Sequence, residues 1–126
     1  FHNDIRGRFE RGDRDVLEAM LFWADLTRQT RELLLRGQGR QIGDLLNASF
    51  DMRRKIYRIS QGNIEMVETA RAVGASAKFS GSGGAIVGAY ADEAMFQRLT
   101  AALEARRIKV FKPELIPVAE GNKHDT

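Results

Sequence analysis

Apolar residues recur every three or four positions over two long stretches in the first half of the chain, which is the period of an amphipathic helix. The first stretch predicts a helix over residues 13–35, capped by Asp13 and ended by Gly37 and Gly39. The second stretch predicts a helix over residues 41–57. Because only a short glycine-containing turn joins them, we expect the two helices to pack as an antiparallel pair.

Two more helices are predicted by polar residues that can cap a helix and that stand before apolar positions at helical spacing. Asn63 is predicted to cap a helix that continues through residue 73, where Gly74 ends it. Asp92 is predicted to cap a helix that runs to about residue 107.

Apolar runs over residues 75–79 and 85–90 are too short for helices and predict two adjacent strands. Residues 108–113, IKVFKP, alternate apolar and basic side chains, as an outer strand does. The order α-α-α-β-β-α-β predicts an α+β fold in which helices pack on one face of a small, mostly antiparallel sheet.

The chain begins with Phe1 rather than methionine, and a first strand upstream of it would complete the predicted sheet. We therefore expect the chain to be part of a longer protein. One domain is predicted over residues 1–117, followed by a polar, flexible tail over residues 118–126.

Composition excludes several kinds of site. The chain has no cysteine, which rules out disulfides, thiolate metal ligands and cysteine nucleophiles. The two histidines, His2 and His124, lie near the ends, so we expect no metal site and no serine–histidine–aspartate triad. No apolar run approaches the roughly 20 residues that span a bilayer. The opening residues FHNDIRGRF are polar and charged, so we expect no secretory leader. We therefore expect no membrane partner and a cytoplasmic location.

The formal net charge is +3, and basic residues alternate with acidic ones through most of the predicted helices. A nucleic-acid-binding surface needs clustered positive charge, so we expect no nucleic acid partner. A net charge of +3 is compatible with a small anionic ligand.

The glycine-rich stretch SGSGG, residues 80–84, lies between the two predicted strands and has two interpretations. Successive bare N–H groups can form a concave site for phosphate oxygens, with hydroxyl donors from Ser80 and Ser82 and with Lys78 upstream. The alternative is a hairpin turn. The stretch is neither a Walker P-loop nor a dinucleotide fingerprint, because the required Lys-Ser/Thr pair, G-x-G-x-x-G spacing and following helix are absent. Composition and spacing leave both interpretations open.

Arg53 lies within the apolar stripe of the second helix, where an arginine is costly unless it is paired. Its partner could be the carboxylate of a substrate or an internal acidic residue. Asn47, one turn before Asp51, could likewise bind a ligand or serve the fold, and Lys78 could face phosphates or solvent. Trp23 and Met20 are interpreted as core packing.

The run MVETARAVGASAKFSGSGGAIVGAY, residues 66–90, resembles the third conserved motif of the GHMP small-molecule kinases. In that motif a helix ends in Gly-Ala, and a strand with lysine leads into a glycine-rich loop. The upstream runs LLNASFDMRRKIY (45–57) and NIEMV (63–67) look most like the glucuronokinase branch, which phosphorylates a sugar acid at its anomeric hydroxyl. The resemblance covers about residues 4–115. What departs from the family is the absence of the N-terminal domain, which carries the ATP-wrapping loop and the catalytic acidic residue.

The resemblance implies a ferredoxin-like GHMP kinase C-terminal domain and, for the full-length protein, an ATP-dependent kinase acting on a sugar or sugar acid. ATP and Mg²⁺ would be bound mainly by an N-terminal domain in cis, so this chain would hold no catalytic residue and would be inactive alone. It would contribute cofactor contacts and substrate contacts. The cofactor contacts would be Lys78, Ser80, Gly81, Ser82, Gly83 and Gly84, and the substrate contacts Arg53 and Asn47.

The alternative is a stand-alone ferredoxin-like module that binds a small anionic metabolite or mediates oligomerisation. A sheet edge left open by a missing strand makes a homo-oligomer an expectation under either hypothesis. The identity of the sugar, the hydroxyl that is phosphorylated and the oligomeric state are left open.

Overall fold

The computed structural model describes residues 2–114, with side chains from residue 4 onward. Five α-helices and one two-stranded sheet form this part of the chain. In order they are α1 (His2–Glu10), α2 (Arg14–Leu35), a 3₁₀ turn (Gly39–Ile42), α3 (Gly43–Ile56), α4 (Gln61–Ala72), β1 (Lys78–Phe79), β2 (Ile86–Val87) and α5 (Glu93–Glu104). The predicted α+β class is confirmed. The predicted domain boundary at residue 117 and the tail after it lie outside the described residues.

Two of the predicted helix caps are confirmed. The Asp13 carboxylate accepts hydrogen bonds from the backbone N–H groups of Asp15 and Val16, at 3.0 and 3.4 Å. It also accepts one from Arg8 Nε at 2.9 Å, which lowers the pKa of Asp13 below its ordinary value of 3.8. At the start of α5, Asp92 accepts from the N–H of Met95 at 2.8 Å.

Other helix boundaries differ from the prediction. Helix α4 begins at Gln61, and its cap is Ser60, whose hydroxyl accepts from the N–H of Asn63 at 3.3 Å. Asn63 is therefore not the cap. The predicted second helix is divided into the 3₁₀ turn and α3, and α5 ends at Glu104 rather than near residue 107.

Helix α1 was not predicted, because its residues are largely polar and carry no apolar stripe. It contacts the rest of the molecule through Arg8, which pairs with Asp13 and donates to the carbonyl of Ile56 at 3.1 Å.

The predicted third strand over residues 108–113 does not form. Lys112 instead donates to Glu93 Oε2 at 2.7 Å, and its ammonium group lies 4.5 Å from the centre of the Phe96 ring. These contacts attach the segment to the first turn of α5. Ile108 and Val110 are half-buried in this segment, whereas Phe111 is 78% exposed.

The hydrophobic core lies between α3, α4 and β1. Its fully buried cluster consists of Phe50, Val67, Ala70, Ala77 and Phe79. The rings of Phe50 and Phe79 meet edge to face with their centres 5.1 Å apart. Because Phe79 is the last residue of β1, this core lies directly behind the glycine-rich stretch.

Helix α2 is buried along a narrower stripe than its apolar residues suggest. Its buried positions are Val16, Ala19 and Leu26, whereas Leu21 is 73% exposed and Met20 is 46% exposed. The interpretation of Met20 as core is therefore wrong. Within the described part of the chain, no helix has the length and apolar character needed to cross a membrane.

Candidate functional site

The glycine-rich stretch is the turn of a hairpin. Strands β1 and β2 pair antiparallel, with Lys78 opposite Val87 and Phe79 opposite Ile86. Between them, the N–H of Ser80 donates to the carbonyl of Ala85 at 3.2 Å. We call residues 80–85 the glycine loop. A Cβ atom on Gly81 or Gly84 would meet nothing within 4 Å, so the loop backbone is open at these two positions.

Two of the loop glycines have backbone conformations that residues with a side chain rarely adopt. Gly83 has φ of +138° and Gly84 has φ of +81°, values at which other residues are strained. A Cβ atom on Gly83 would also lie 3.1 Å from Nδ2 of Asn63. A side chain at position 83 would therefore be strained by its backbone conformation and would also displace the Asn63 amide.

The glycine loop is attached to the helices at two points. Arg53 Nη1, on α3, donates to the carbonyl of Gly81 at 2.8 Å. Asn63 Oδ1, on α4, accepts from the N–H of Gly84 at 3.3 Å. Sequence reasoning missed this role of Asn63. The local signal is a polar side chain in the first turn of α4, which by itself favours a helix cap.

The guanidinium group of Arg53 is packed between two rings. Its central carbon lies 4.9 Å from the centre of the Tyr57 ring and 5.1 Å from that of Phe79. Its Nε is buried and has no hydrogen-bond partner among the described residues. No described carboxylate pairs with Arg53, whereas the adjacent Arg54 pairs with Glu68 at 3.2 Å. The one hydrogen bond observed for the Arg53 side chain within the described residues is therefore the bond to the glycine loop.

Asn47 connects α3 to the segment that leads into β1. Its Oδ1 accepts from the N–H of Ala77 at 2.9 Å, and its backbone carbonyl accepts from Arg71 Nη2 at 3.0 Å. Arg71 also pairs with Asp51 at 2.7 Å. The side-chain oxygen of Asn47 is therefore engaged within the protein.

A cleft of about 780 Å³ lies between α2, α3 and β1, and we call it the α2–α3 cleft. Its surface is mainly apolar and includes Trp23, whose indole N–H donates to the carbonyl of Ser49 at 3.1 Å. Three cationic side chains also line it, and no aspartate or glutamate does. The three cations are Arg31, Arg53 and Lys78.

A second, smaller cleft of about 230 Å³ lies beside the glycine loop, and we call it the loop cleft. Polar groups dominate its lining, and no acidic residue is among them. Its polar side chains are Arg53, Arg58, Ser60, Asn63 and Ser82. Arg53 and Phe79 line both clefts.

The structure places the predicted site residues in different parts of the domain. Ser82 and Arg53 line the loop cleft, Lys78 lines the α2–α3 cleft, and Asn47 is bonded internally. Ser80, Gly81 and Gly84 are exposed on the glycine loop. Arg31 and Arg58 were not predicted, since nothing in their local sequence distinguishes them from solvated arginines.

Among the residues with described side chains, no three acidic or histidine residues converge as metal ligands would. The donors around the loop cleft are cations, hydroxyls and an amide, which suit phosphate or carboxylate oxygens. The described residues therefore form a polar surface with two arginines beside a glycine hairpin in an α+β domain.

A comparison with protein-family models matches residues 30–109 to the family described as GHMP kinases C terminal. This match covers more than half of the chain, so the chain belongs to the GHMP kinase C-terminal family.

Two curated relatives from Arabidopsis thaliana are similar over 89 residues: probable glucuronokinase 2 at 40% identity and glucuronokinase 1 at 39%. Each match covers 68% of this chain but only 24% and 25% of the respective relative. This chain therefore spans about a quarter of the length of these relatives.

Among solved structures, the chain is similar to the crystal structure of L. major mevalonate kinase in complex with R-mevalonate. The TM-score is 0.72 at 26% identity, and the match covers 82% of this chain and 33% of that one. The predicted GHMP kinase C-terminal fold is confirmed, with the two-stranded sheet and helices described above.

Proposed function

We propose that the full-length protein containing this chain is an ATP-dependent kinase that transfers the γ-phosphoryl group to a hydroxyl of a sugar or sugar acid. Membership of the GHMP kinase C-terminal family and similarity to two glucuronokinases support this proposal. This chain supplies the glycine loop and part of the substrate cleft. An N-terminal domain in cis supplies the catalytic group.

The observation that carries the proposal is the glycine loop, attached to the helices at Gly81 and Gly84 beside two arginines. Phosphoryl transfer depends mainly on positioning and on stabilising negative charge, so a fixed bare backbone next to cations suits it. Arg53 and Arg58 provide the cations, and Ser82 provides a hydroxyl donor. In this arrangement Ser80, Gly81, Ser82, Gly83 and Gly84 support the phosphate-binding surface.

The loop cleft fits the phosphate part of a nucleotide but does not fit its metal ion. Its lining contains no carboxylate, and Mg²⁺ is bound in proteins mainly through carboxylates, phosphates and water. ATP supplies the phosphoryl group when it is bound, and Lys78 lies at the base of the same loop on the side of the α2–α3 cleft. Mg²⁺ is therefore assigned to the remainder of the protein.

The first test is a phosphorylation assay of the full-length protein against a panel of neutral sugars and uronic acids, with Gly83→Val as the variant. Valine at φ of +138° and close to Asn63 displaces the glycine loop. We expect turnover on one sugar class, reduced about 100-fold in kcat by a misplacement of this kind.

The matched control is Gly62→Val, in the first turn of α4, where a Cβ atom would meet nothing within 4 Å. This variant is expected to keep wild-type activity. Turnover by Gly83→Val equal to the wild type, with both variants folded, would show that the loop has no part in the reaction. Failure of the wild type on every sugar in the panel would sink the kinase proposal itself.

A further inference from the structure

Asn63 belongs to a helix that is anchored both at its start and along its buried face. It lies in the first turn of α4, and its backbone N–H donates to the hydroxyl of Ser60, the cap of that helix, at 3.3 Å. The following turn is held in the core, where Ile64 is 8% exposed and Val67 is 0% exposed. Side chains on packed helices are held more precisely than side chains on loops. Asn63 can therefore serve as a fixed point for a neighbouring loop.

The side chain of Asn63 meets the glycine loop at its two residues of positive φ. Its Oδ1 accepts a hydrogen bond from the N–H of Gly84 at 3.3 Å, and its Nδ2 lies 3.1 Å from the position of a Cβ atom on Gly83. Glycine adopts many backbone conformations with similar ease, so a glycine-rich loop needs an outside contact to favour one of them. Asn63 provides such a contact.

The orientation of the Asn63 amide follows from the group that it meets. A backbone N–H can only donate, so the side chain must turn its oxygen toward Gly84. The Nδ2 group then lies on the side of Gly83, and it makes no hydrogen bond with a described residue. Asn63 also lines the loop cleft. It thus gives the glycine loop an acceptor without placing a negative charge in this cleft.

A second contact holds the other end of the glycine loop, where Arg53 donates to the carbonyl of Gly81 at 2.8 Å. Between the two contacts, the successive N–H groups of residues 81–83 make no hydrogen bond with a described residue. Successive free N–H groups can form a concave site for an anion. Such a site binds best when its conformation is set beforehand, because ordering the loop during binding costs conformational entropy.

We propose that Asn63 is a positioning residue for phosphoryl transfer. Through the hydrogen bond from Gly84 to its Oδ1, it holds the glycine loop in the conformation that meets the phosphate groups of ATP. This inference rests on the proposed kinase function, because it assigns a residue to that reaction. Asn63 acts through the loop backbone, so its acceptor oxygen and its lack of charge have separate effects.

The test is the steady-state kinetics of the full-length protein with ATP and the sugar that it phosphorylates. Asn63→Ala removes the acceptor for Gly84, and we expect kcat to fall about fivefold, the usual effect of losing one neutral hydrogen bond. Asn63→Asp keeps an acceptor and is expected to keep kcat within about twofold of the wild type. Its carboxylate beside the loop cleft repels the phosphate groups, so we expect the KM for ATP to rise about tenfold.

The matched control is Gln61→Ala, which removes an amide side chain from the same turn of α4. Gln61 lines neither cleft, and its one side-chain hydrogen bond within residues 4–114 is to Glu65 at 3.4 Å. This variant is expected to keep the kcat and the KM of the wild type. Circular dichroism and thermal unfolding verify the fold of each variant. A merely structural role would reduce the folded fraction and would not separate kcat from KM in Asn63→Asp.

Equal kcat in Asn63→Ala and the wild type, or equal losses of kcat in Asn63→Ala and Asn63→Asp, would overturn the proposal. Hydrogen exchange of the Gly84 amide in the full-length protein gives a measurement that needs no turnover. We expect this exchange to be about fivefold faster in Asn63→Ala and unchanged in Asn63→Asp.

The two measurements separate this proposal from the kinase proposal. Faster exchange at Gly84 in Asn63→Ala, with kcat equal to that of an active wild type, would keep the kinase and remove Asn63 from its reaction. Failure of the wild type to phosphorylate any sugar would remove the kinase proposal. Unchanged exchange at Gly84 in Asn63→Ala would then show that Asn63 does not hold the loop either.

Discussion

At the scale of single residues, the most constrained glycine lies outside the glycine-rich stretch. A Cβ atom on Gly88 would lie 1.8 Å from the carbonyl oxygen of Ser76, on the opposite side of the hairpin. There the N–H of Ser76 donates to the carbonyl of Ala89 at 2.9 Å, and the Ser76 hydroxyl accepts from the Ala89 N–H at 2.9 Å. Only a residue without a side chain allows the two backbones to approach so closely.

The variant Gly88→Ala is therefore expected to lower the free energy of unfolding by about 1–3 kcal/mol or more, as overpacking against a fixed backbone does. Urea unfolding followed by circular dichroism measures the change. Gly81→Ala is the control, because a Cβ atom there meets nothing within 4 Å. It should change the free energy of unfolding by no more than about 0.5 kcal/mol. Equal midpoints for the two variants would mean that the hairpin adjusts without cost at Gly88.

The constraint on Gly88 could not be predicted from the sequence, and the same is true of the partner of Arg53. Both depend on backbone segments that are distant along the chain: Ser76 approaches Gly88, and Gly81 lies 28 residues from Arg53. Sequence reasoning correctly required a partner for Arg53. It proposed a carboxylate, whereas the observed partner is a backbone carbonyl.

At the scale of helices and strands, the caps at the start of α2 and α5 were predicted, and the cap at the start of α4 was not. Asp13 and Asp92 cap α2 and α5 because each carboxylate reaches N–H groups two or three residues ahead. Ser60 and Asn63 are both residues that can cap a helix. Asn63 instead bonds to Gly84, 21 residues away, and Ser60 caps α4.

The connection between α3 and β1 depends on one side chain. Asn47→Ala removes the acceptor for the N–H of Ala77, a residue that is only 1% exposed. We expect the free energy of unfolding to fall by about 1–3 kcal/mol, the cost of leaving a buried donor without a partner.

The control for this prediction is Asn47→Asp, which keeps an acceptor oxygen at the same position. We expect urea unfolding to show a smaller decrease in the free energy of unfolding for Asn47→Asp than for Asn47→Ala. Equal losses for the two variants would contradict the prediction and would assign the role of Asn47 to packing rather than to the hydrogen bond with Ala77.

At the scale of the whole molecule, the family could be predicted from one motif, but the clefts could not. The motif is continuous in the chain, whereas the α2–α3 cleft combines Arg31 from α2, Arg53 from α3 and Lys78 from β1. The periodicity of apolar residues in the sequence predicts the helix or strand to which each residue belongs. It does not show which helices and strands are neighbours in the fold. The absence of acidic residues from the cleft lining is likewise a property of the assembled fold.

Arg53 lines both clefts and donates a hydrogen bond to the glycine loop, so we expect its loss to change the loop. In Arg53→Met the bond to the carbonyl of Gly81 is lost, and we expect the hydrogen-bonded amides of Ser80 and Gly84 to exchange hydrogen about tenfold faster. Mass-spectrometric hydrogen exchange measures this. Arg54→Met is the matched control, because Arg54 is exposed on the same helix and its one ion pair within residues 4–114 is with Glu68 at the surface. If both variants leave exchange in the glycine loop unchanged, Arg53 does not position the loop. If both accelerate it equally, the effect belongs to α3 as a whole.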